Sequence, residues 1–446
     1  MKKRKTKSGI HGRNSARIIS LGFLGLVLGG ALLLMLPVSS QSRTVTPFAD
    51  ALFTAISASC VTGLIVRDTA THWSLFGQAV ILILIQIGGM GVITIGLIIA
   101  RLSGKKIGLA FRGMMQDSIS APQVGGILHL TKFILKMTAA IELTGAVLLY
   151  PVFCRDFGPL RGIWYALFHS VSAFCNAGFD LMGVREPFSS LTTYGGNIYV
   201  NVIMMLLIVT GGIGFLTWDD FVIHRHHFKK YRLQTKVVLV TSGILILVPA
   251  IFFFFTEYGS EPVKERILYS FFQSITARTA GFNTADMSKM HESGAMVMTI
   301  LMLIGGCSGS TAGGMKTTTI AVLFLAALSV YRKKNDVECF SRRIPADTVR
   351  TAGAILFMYL SLFLTTGIAV CVIESLPLTA CLFETGSALG TAGVTLGITT
   401  ALSLPSHIIL MFLMYAGRVG GLTLIYAAFS TGTEAAKKPQ EKITVG

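Results

Sequence analysis

Phe53-Thr-Ala-Ile-Ser-Ala-Ser-Cys-Val-Thr-Gly63 decides how this chain is read, because the same pattern returns three times. The other copies are FHSVSAFCNAG at 168–178, FFQSITARTAG at 271–281 and FETGSALGTAG at 383–393. In each copy a phenylalanine (Phe53, Phe168, Phe271, Phe383) stands ten residues before a glycine, and the glycines are 115, 103 and 112 residues apart. A shared pattern at a near-constant period marks a repeated structural unit. Four such units in an apolar chain can surround one axis and bring a glycine from each onto it. That arrangement would let a single polypeptide build an ion pore.

The flanks repeat as well. A long apolar helix is expected before each pattern, over 16–36, 127–150, 236–256 and 349–374. A second is expected after it, over 74–100, 195–218, 294–328 and 405–430. Each is close to the roughly 20 residues that cross a bilayer. The segments at 47–58, 160–173, 263–276 and 377–388 are too short to cross. They read as re-entrant helices followed by an extended return, which is tolerated at membrane depth only inside protein or along a water-filled path. The expected fold is an all-α polytopic membrane protein with four parallel repeats, eight transmembrane helices and one central pore. Its divisions are 1–110 (N-terminal tail and repeat 1), 111–232 (repeat 2), 233–340 (repeat 3) and 341–446 (repeat 4 and C-terminal tail).

Composition supports a membrane solvent. Hydrophobic residues make up 52% of the 446 and charged residues 13%, too few charges to cover a soluble protein of this size. The mean hydropathy is +0.68. The net charge of +17 is explained by topology rather than by nucleic acid. Basic residues gather in the N-terminal segment (Lys2, Lys3, Arg4, Lys5, Lys7, Arg13, Arg17) and in the loops between repeats. Those loops hold Arg101, Lys105, Lys106 and Arg112; Arg225, Lys229, Lys230 and Arg232; and Arg332, Lys333, Lys334, Arg342 and Arg343. These segments fall on one face, which the positive-inside rule makes cytoplasmic, with both termini. Ile18 to Leu36 reads as a first span rather than a cleaved signal, because it is too long for a signal core. The seven cysteines lack metal or disulfide spacing and read as packing residues.

The four pattern ends are Val61-Thr62-Gly63, Asn176-Ala177-Gly178, Thr279-Ala280-Gly281 and Thr391-Ala392-Gly393. None carries a charge, so a cation site here must use backbone carbonyls, which can replace the hydration shell of potassium. A divalent ion would ask for a carboxylate ring, and none aligns across the repeats. The alternative is that the glycines only cap or pack helices. The expected second helix of repeat 3 is interrupted by Gly305-Gly306-Cys307-Ser308-Gly309-Ser310-Thr311-Ala312-Gly313-Gly314, followed by Lys316. Such a run breaks a helix, and broken helices at membrane depth mark transport paths, although small residues also serve close packing. Gly309 to Thr317 approximates a phosphate-binding loop, but Met315 spoils the spacing and no strand precedes it. Nucleotide binding by this chain is not expected. Arg418 lies roughly 18 Å along the last helix, at 1.5 Å per residue. An arginine at that depth should face a wet cavity or a partner, as an electrostatic barrier, as a tether to loop carbonyls, or as both. Glu142 and Glu384 read as satisfied structural carboxylates in preference to a proton relay. Glu384 takes the place held by Thr54, His169 and Phe272 in the other copies. No residue set reads as catalytic.

With these motifs in view, the chain resembles the Ktr/Trk/HKT superfamily of potassium transporters, nearest the KtrB-type membrane subunits. The resemblance rests on the four patterns, LIQIGGMG at 84–91, GGCSGSTAGGMKT at 305–317 and GRVGG at 417–421. It implies that the four glycine segments form a K+ selectivity filter and that Gly63 in the first favours potassium over sodium. It implies that the interrupted helix is a gating loop, made of Gly305, Gly306, Ser308, Gly309, Ser310, Thr311, Gly313, Gly314 and Lys316, with Arg418 beside it. It further implies a homodimer in a bacterial plasma membrane, in contact with lipid and seated on a cytosolic RCK-type nucleotide-binding ring. Sodium stimulation is a further implied trait. Two alternatives stay open: a sodium-permeable member of the same fold, and a secondary symporter of another class, which should display two broken helices in matching positions.

Overall fold

In the computed structural model, residues 5–91, Gly113, Gln116 and 126–420 are described. Each short helix starts at a proline, which sets the first turn without needing an N–H. These helices are α2 (Phe48–Ser59, after Pro47), α5 (Pro159–Phe174), α9 (Val263–Thr276, after Pro262) and α13 (Leu378–Gly390, after Pro377). The long helices before them are α1 (Lys5–Met35), α4 (Ile127–Phe157), α8 (Leu233–Thr256) and α12 (Ala346–Glu374). After them come α3 (Leu75–Met90), α6 (Ile198–Gly212) with α7 (Phe215–His224), α10 (Glu292–Leu303) with α11 (Thr317–Tyr331), and α14 (Leu404–Val419).

Each long helix packs on the short helix that follows it. The helix after the short one reaches the short helix of the next unit: α3 packs on α5, α6 on α9, α10 on α13 and α14 on α2. The last of these contacts closes a ring, so units 1 and 3 lie across from each other, as do 2 and 4. The short helices fill the middle. Phe53, Phe168 and Phe383 are all at most 1% exposed.

Several expectations change. By length and hydropathy, α4, α8 and α12 qualify as spans, and α6 with α7 makes a fourth if that pair, bent by 97°, is counted as one. The eight expected spans are not reached among the described residues. The helices after the pattern are interrupted by glycine, and the last residues expected in two of them (92–100 and 421–430) lie outside the described residues, as do the basic loop at 101–112 and the C-terminal tail. The fold is also not purely α-helical. β1 (Val337–Cys339) pairs antiparallel with β2 (Arg342–Ile344), because Phe340 and Ser341 both adopt positive φ, the geometry of a two-residue hairpin turn.

The third copy of the pattern is one residue shorter than its spacing suggests. In the other three, the amide before the glycine reaches back five residues: Thr62 N to Ser57 O, Ala177 N to Ser172 O and Ala392 N to Ser387 O, each 2.8 Å. In the third, Ala280 N reaches back only four, to Thr276 O at 2.9 Å. The buried aromatic is therefore Phe272 at 0% exposed, while Phe271 is 37% exposed. The counterpart of Glu384 is then Gln273, not Phe272. Phe272→Ala is expected to cost about 3–5 kcal/mol, as for other buried aromatics. Phe271→Ala should cost under about 0.5 kcal/mol. Thermal unfolding of the two variants in detergent checks this, and equal losses would restore the ten-residue frame.

Candidate functional site

The four turns share a backbone. Val61, Asn176, Thr279 and Thr391 all take left-handed φ (58°, 59°, 72°, 52°), and the glycines two residues on have φ of 97°, 71°, 81° and 81°. The turns also meet. A Cβ built on Gly63 would lie 2.6 Å from Ala177 O, and one on Gly178 would lie 2.7 Å from Gly281 Cα. One on Gly281 would lie 3.1 Å from Ala392 O and 3.3 Å from Thr62 O, and one on Gly393 would overlap Thr62 O. All twelve residues of the four triplets that form the candidate filter are thus drawn together, and the three hydroxyls among them, of Thr62, Thr279 and Thr391, are buried without a partner. Buried polar atoms are normally satisfied, so this cluster has spare capacity to bind water or an ion.

Behind three of the four turns lies a second glycine device that the sequence reading overlooked. Gly88, Gly211 and Gly417 press on the carbonyls of Ser59, Phe174 and Leu389 at the ends of their own short helices, closer than any Cβ permits. Three residues later Gly91, Gly214 and Gly420 end or break the helix with matching φ/ψ of 84°/136°, 98°/140° and 86°/133°. The helix of unit 2 is therefore broken as well as that of unit 3, and the number of broken helices does not separate the alternatives. The signal was a G-x-x-G spacing in GGMG, GGIG and GRVG.

Beneath the turns lies the interruption between α10 and α11, pinched at its base by an Ile304–Met315 bridge. Thr311 Oγ1 donates to Phe174 O (3.1 Å) and Asn176 Oδ1 (3.2 Å), tying the loop to unit 2. Gly314 N donates to Gly417 O of unit 4 at 3.2 Å, and Gly313 leaves no room for a Cβ beside Thr391. Gly309 O accepts from Phe215 N at 2.7 Å, where unit 2 is broken. Gly306 N donates to Gly313 O at 3.3 Å, Ser308 Oγ meets Thr318 Oγ1 at 2.8 Å and Ser310 Oγ donates to Cys307 O at 2.7 Å. Lys316 spends its protons on Ala312 O (2.8 Å) and Gly313 O (3.3 Å) of the loop itself.

Arg418 donates to Thr311 O in the loop and to Gly88 O and Gly89 O (2.9 Å) in unit 1. The sequence reading missed Arg278. It is 8% exposed in the third turn and donates to Ser242 Oγ (3.1 Å) and to Cys307 Sγ (3.6 Å) of the loop. Glu142 accepts from Gln86 Nε2 at 3.2 Å and Glu384 from Thr399 Oγ1 at 2.9 Å, both neutral partners.

Comparison with known proteins agrees with this architecture. The family model described as "TrkH: Cation transport protein" matches residues 2–437. The chain is 39% identical to the potassium/sodium uptake protein NtpJ of Enterococcus hirae, over 96% of this chain and 97% of that one. It is 36% identical to the Ktr system potassium uptake protein B of Bacillus subtilis, over 96% of each. The potassium transporter TrkH from Vibrio parahaemolyticus superposes with a TM-score of 0.72 at 19% identity, covering 94% of this chain and 85% of that chain. The chain therefore belongs to the TrkH family of cation transport proteins.

Proposed function

We propose that this chain is the ion-translocating subunit of a bacterial potassium uptake system, with four pseudo-repeats and eight spans around one pore. Potassium passes a filter made of the carbonyls of Val61–Gly63, Asn176–Gly178, Thr279–Gly281 and Thr391–Gly393, then the gating loop Gly305–Gly314 below. The observation that carries this reading is the closure of four left-handed glycine turns on one another. Carbonyls in a fixed ring replace the hydration shell of a cation without bringing a charge of their own. The names of the two relatives supply potassium as the ion, and that of the Enterococcus hirae protein adds sodium.

The loop before α8, the first turns of α8 and the hairpin meet at one end, with Phe228 and Phe340 6.0 Å apart and Lys236 over both rings. With the basic residues around them, this end faces the cytoplasm. A negative-inside potential then supplies about 2.3 kcal/mol per 100 mV for each entering cation, so no motor is needed in this chain. The working assembly is a homodimer on a cytosolic RCK-type ring that binds the nucleotide.

The test is rubidium and sodium uptake in cells lacking their own potassium transporters, with an RCK partner co-expressed, comparing wild type with Gly281→Ser at equal membrane levels. Uptake that is lost, or becomes sodium-permeable, in the variant supports the filter. Unchanged selective uptake would mean that the glycines only pack helices. Sodium uptake equal to rubidium in the wild type would favour a sodium-permeable member of the fold.

A further inference from the structure

The short helices carry a second set of equivalent residues, visible only once the third turn is known to be one residue shorter. Thr54, His169, Gln273 and Glu384 each stand three residues before the residue whose carbonyl receives the turn amide, and all four are 0% exposed. The sequence places a hydroxyl, an imidazole, an amide and a carboxylate at this one site.

Two of them reach the strand that leaves the turn. His169 Nδ1 lies 2.7 Å from Tyr165 O. A carbonyl only accepts, so Nδ1 carries the proton and Nε2 is left as an acceptor. Nε2 takes the amide of Leu181, three residues beyond Gly178, at 3.2 Å. Glu384 accepts from the hydroxyls of Thr395, two residues beyond Gly393, and of Thr399. Different chemistries thus hold the strand just beyond the glycine in units 2 and 4. The other two do not. Thr54 donates to Asp50 O of its own helix at 2.9 Å, and neither amide atom of Gln273 bonds to the strand leaving its turn. Units 2 and 4 face each other across the ring closed by α14 and α2.

Resting on the filter reading above, we propose that His169 and Glu384 are positioning residues that brace the filter along one diagonal and thereby set its selectivity. A carbonyl ring discriminates between ions only while its oxygens hold their number and spacing. The brace fixes the outer strand of two turns from behind. In the first turn Gly63 N donates to Ser57 Oγ (3.0 Å), and in the third Thr276 Oγ1 donates to Phe282 O, so only the support from this one position is two-fold.

The test uses the full chain with its RCK partner in transporter-deficient cells, at matched membrane levels. The readouts are the rubidium-to-sodium uptake ratio and the split between KM and maximal rate. Glu384→Leu and His169→Leu, which remove the acceptor, are expected to lower the ratio roughly tenfold or more, the scale of one lost buried hydrogen bond. Glu384→Gln keeps an acceptor oxygen for the Thr395 hydroxyl and is expected to restore most of the ratio. Glu384→Met, of similar length, replaces the Leu variant if that one does not reach the membrane. Wild-type ratios in the acceptor-free variants, or a Gln variant as unselective as Leu, would overturn the brace. Gly281→Ser is run alongside. A change in that variant without one in Glu384→Leu leaves the filter standing and the brace refuted, whereas no change in Gly281→Ser removes both.

Discussion

Gly393→Ala is expected to bring rubidium uptake below detection at wild-type membrane levels. Gly393 has φ of 81°, and the new methyl would overlap Thr62 O and come 3.0 Å from Gly63 Cα. The left-handed backbone alone costs about 1–2 kcal/mol for an L-residue, and overpacking about 1–3 more. A folded chain can absorb that much. The carbonyl ring cannot, because Thr62 O is one of the oxygens proposed to coordinate the ion, and the methyl takes the space it holds. Gly397→Ala separates the two effects. Its φ is 94°, yet nothing lies within 4 Å of a Cβ built there. It carries a similar backbone cost, and its uptake should stay near wild type with a modest loss of thermal stability. If the two variants transport alike, the turns do not line the path.

That contrast also measures how much of the site was legible in the sequence. The repeated pattern located the four short helices and their turns to within one or two residues, because short helix, turn and glycine are local features with local chemistry. The run Gly305–Gly314 announced its break in the same way. Arg418 was legible as a buried charge needing carbonyls, and it has them. What spacing could not reveal was the geometry at the helix ends. A turn of four or of three residues leaves Phe271 and Phe272 equally plausible as the buried ring, and only the hydrogen bond from Ala280 to Thr276 decides between them. The same one-residue slip hid the equivalence of Gln273 with Glu384. The G-x-x-G breaks in units 1, 2 and 4 were written in the sequence but read as ordinary helix, since glycine is common in packed membrane helices. Arg278 was passed over because its partners, Ser242 and Cys307, lie 36 and 29 residues away.

Arg418→Gln is expected to raise uptake in the absence of the proposed cytosolic ring by roughly tenfold or more. The hydrogen-bond partners of the guanidinium are all backbone carbonyls, one in the loop and two at the end of α3. One rigid fork on α14 thus ties the loop of unit 3 to unit 1, which a flexible ammonium cannot reproduce. A hydrogen bond from a charged donor contributes about 1.5–3 kcal/mol. Releasing the loop end of the fork shifts its equilibrium by that amount, and each 1.4 kcal/mol is about a factor of ten in the open population. Arg418→Lys distinguishes the two ways in which this arginine can hold ions back. Lysine keeps the positive charge beside the path but cannot span Thr311 O and Gly88 O together. Uptake as fast in Lys as in Gln makes Arg418 a tether whose bonds close the loop. Slow uptake in Lys with fast uptake in Gln makes it a barrier that acts through charge. Uptake below wild type in both would mean that the fork holds the pathway in its conducting shape, and that the loop is closed by its contacts with Phe174, Gly211 and Gly417 instead.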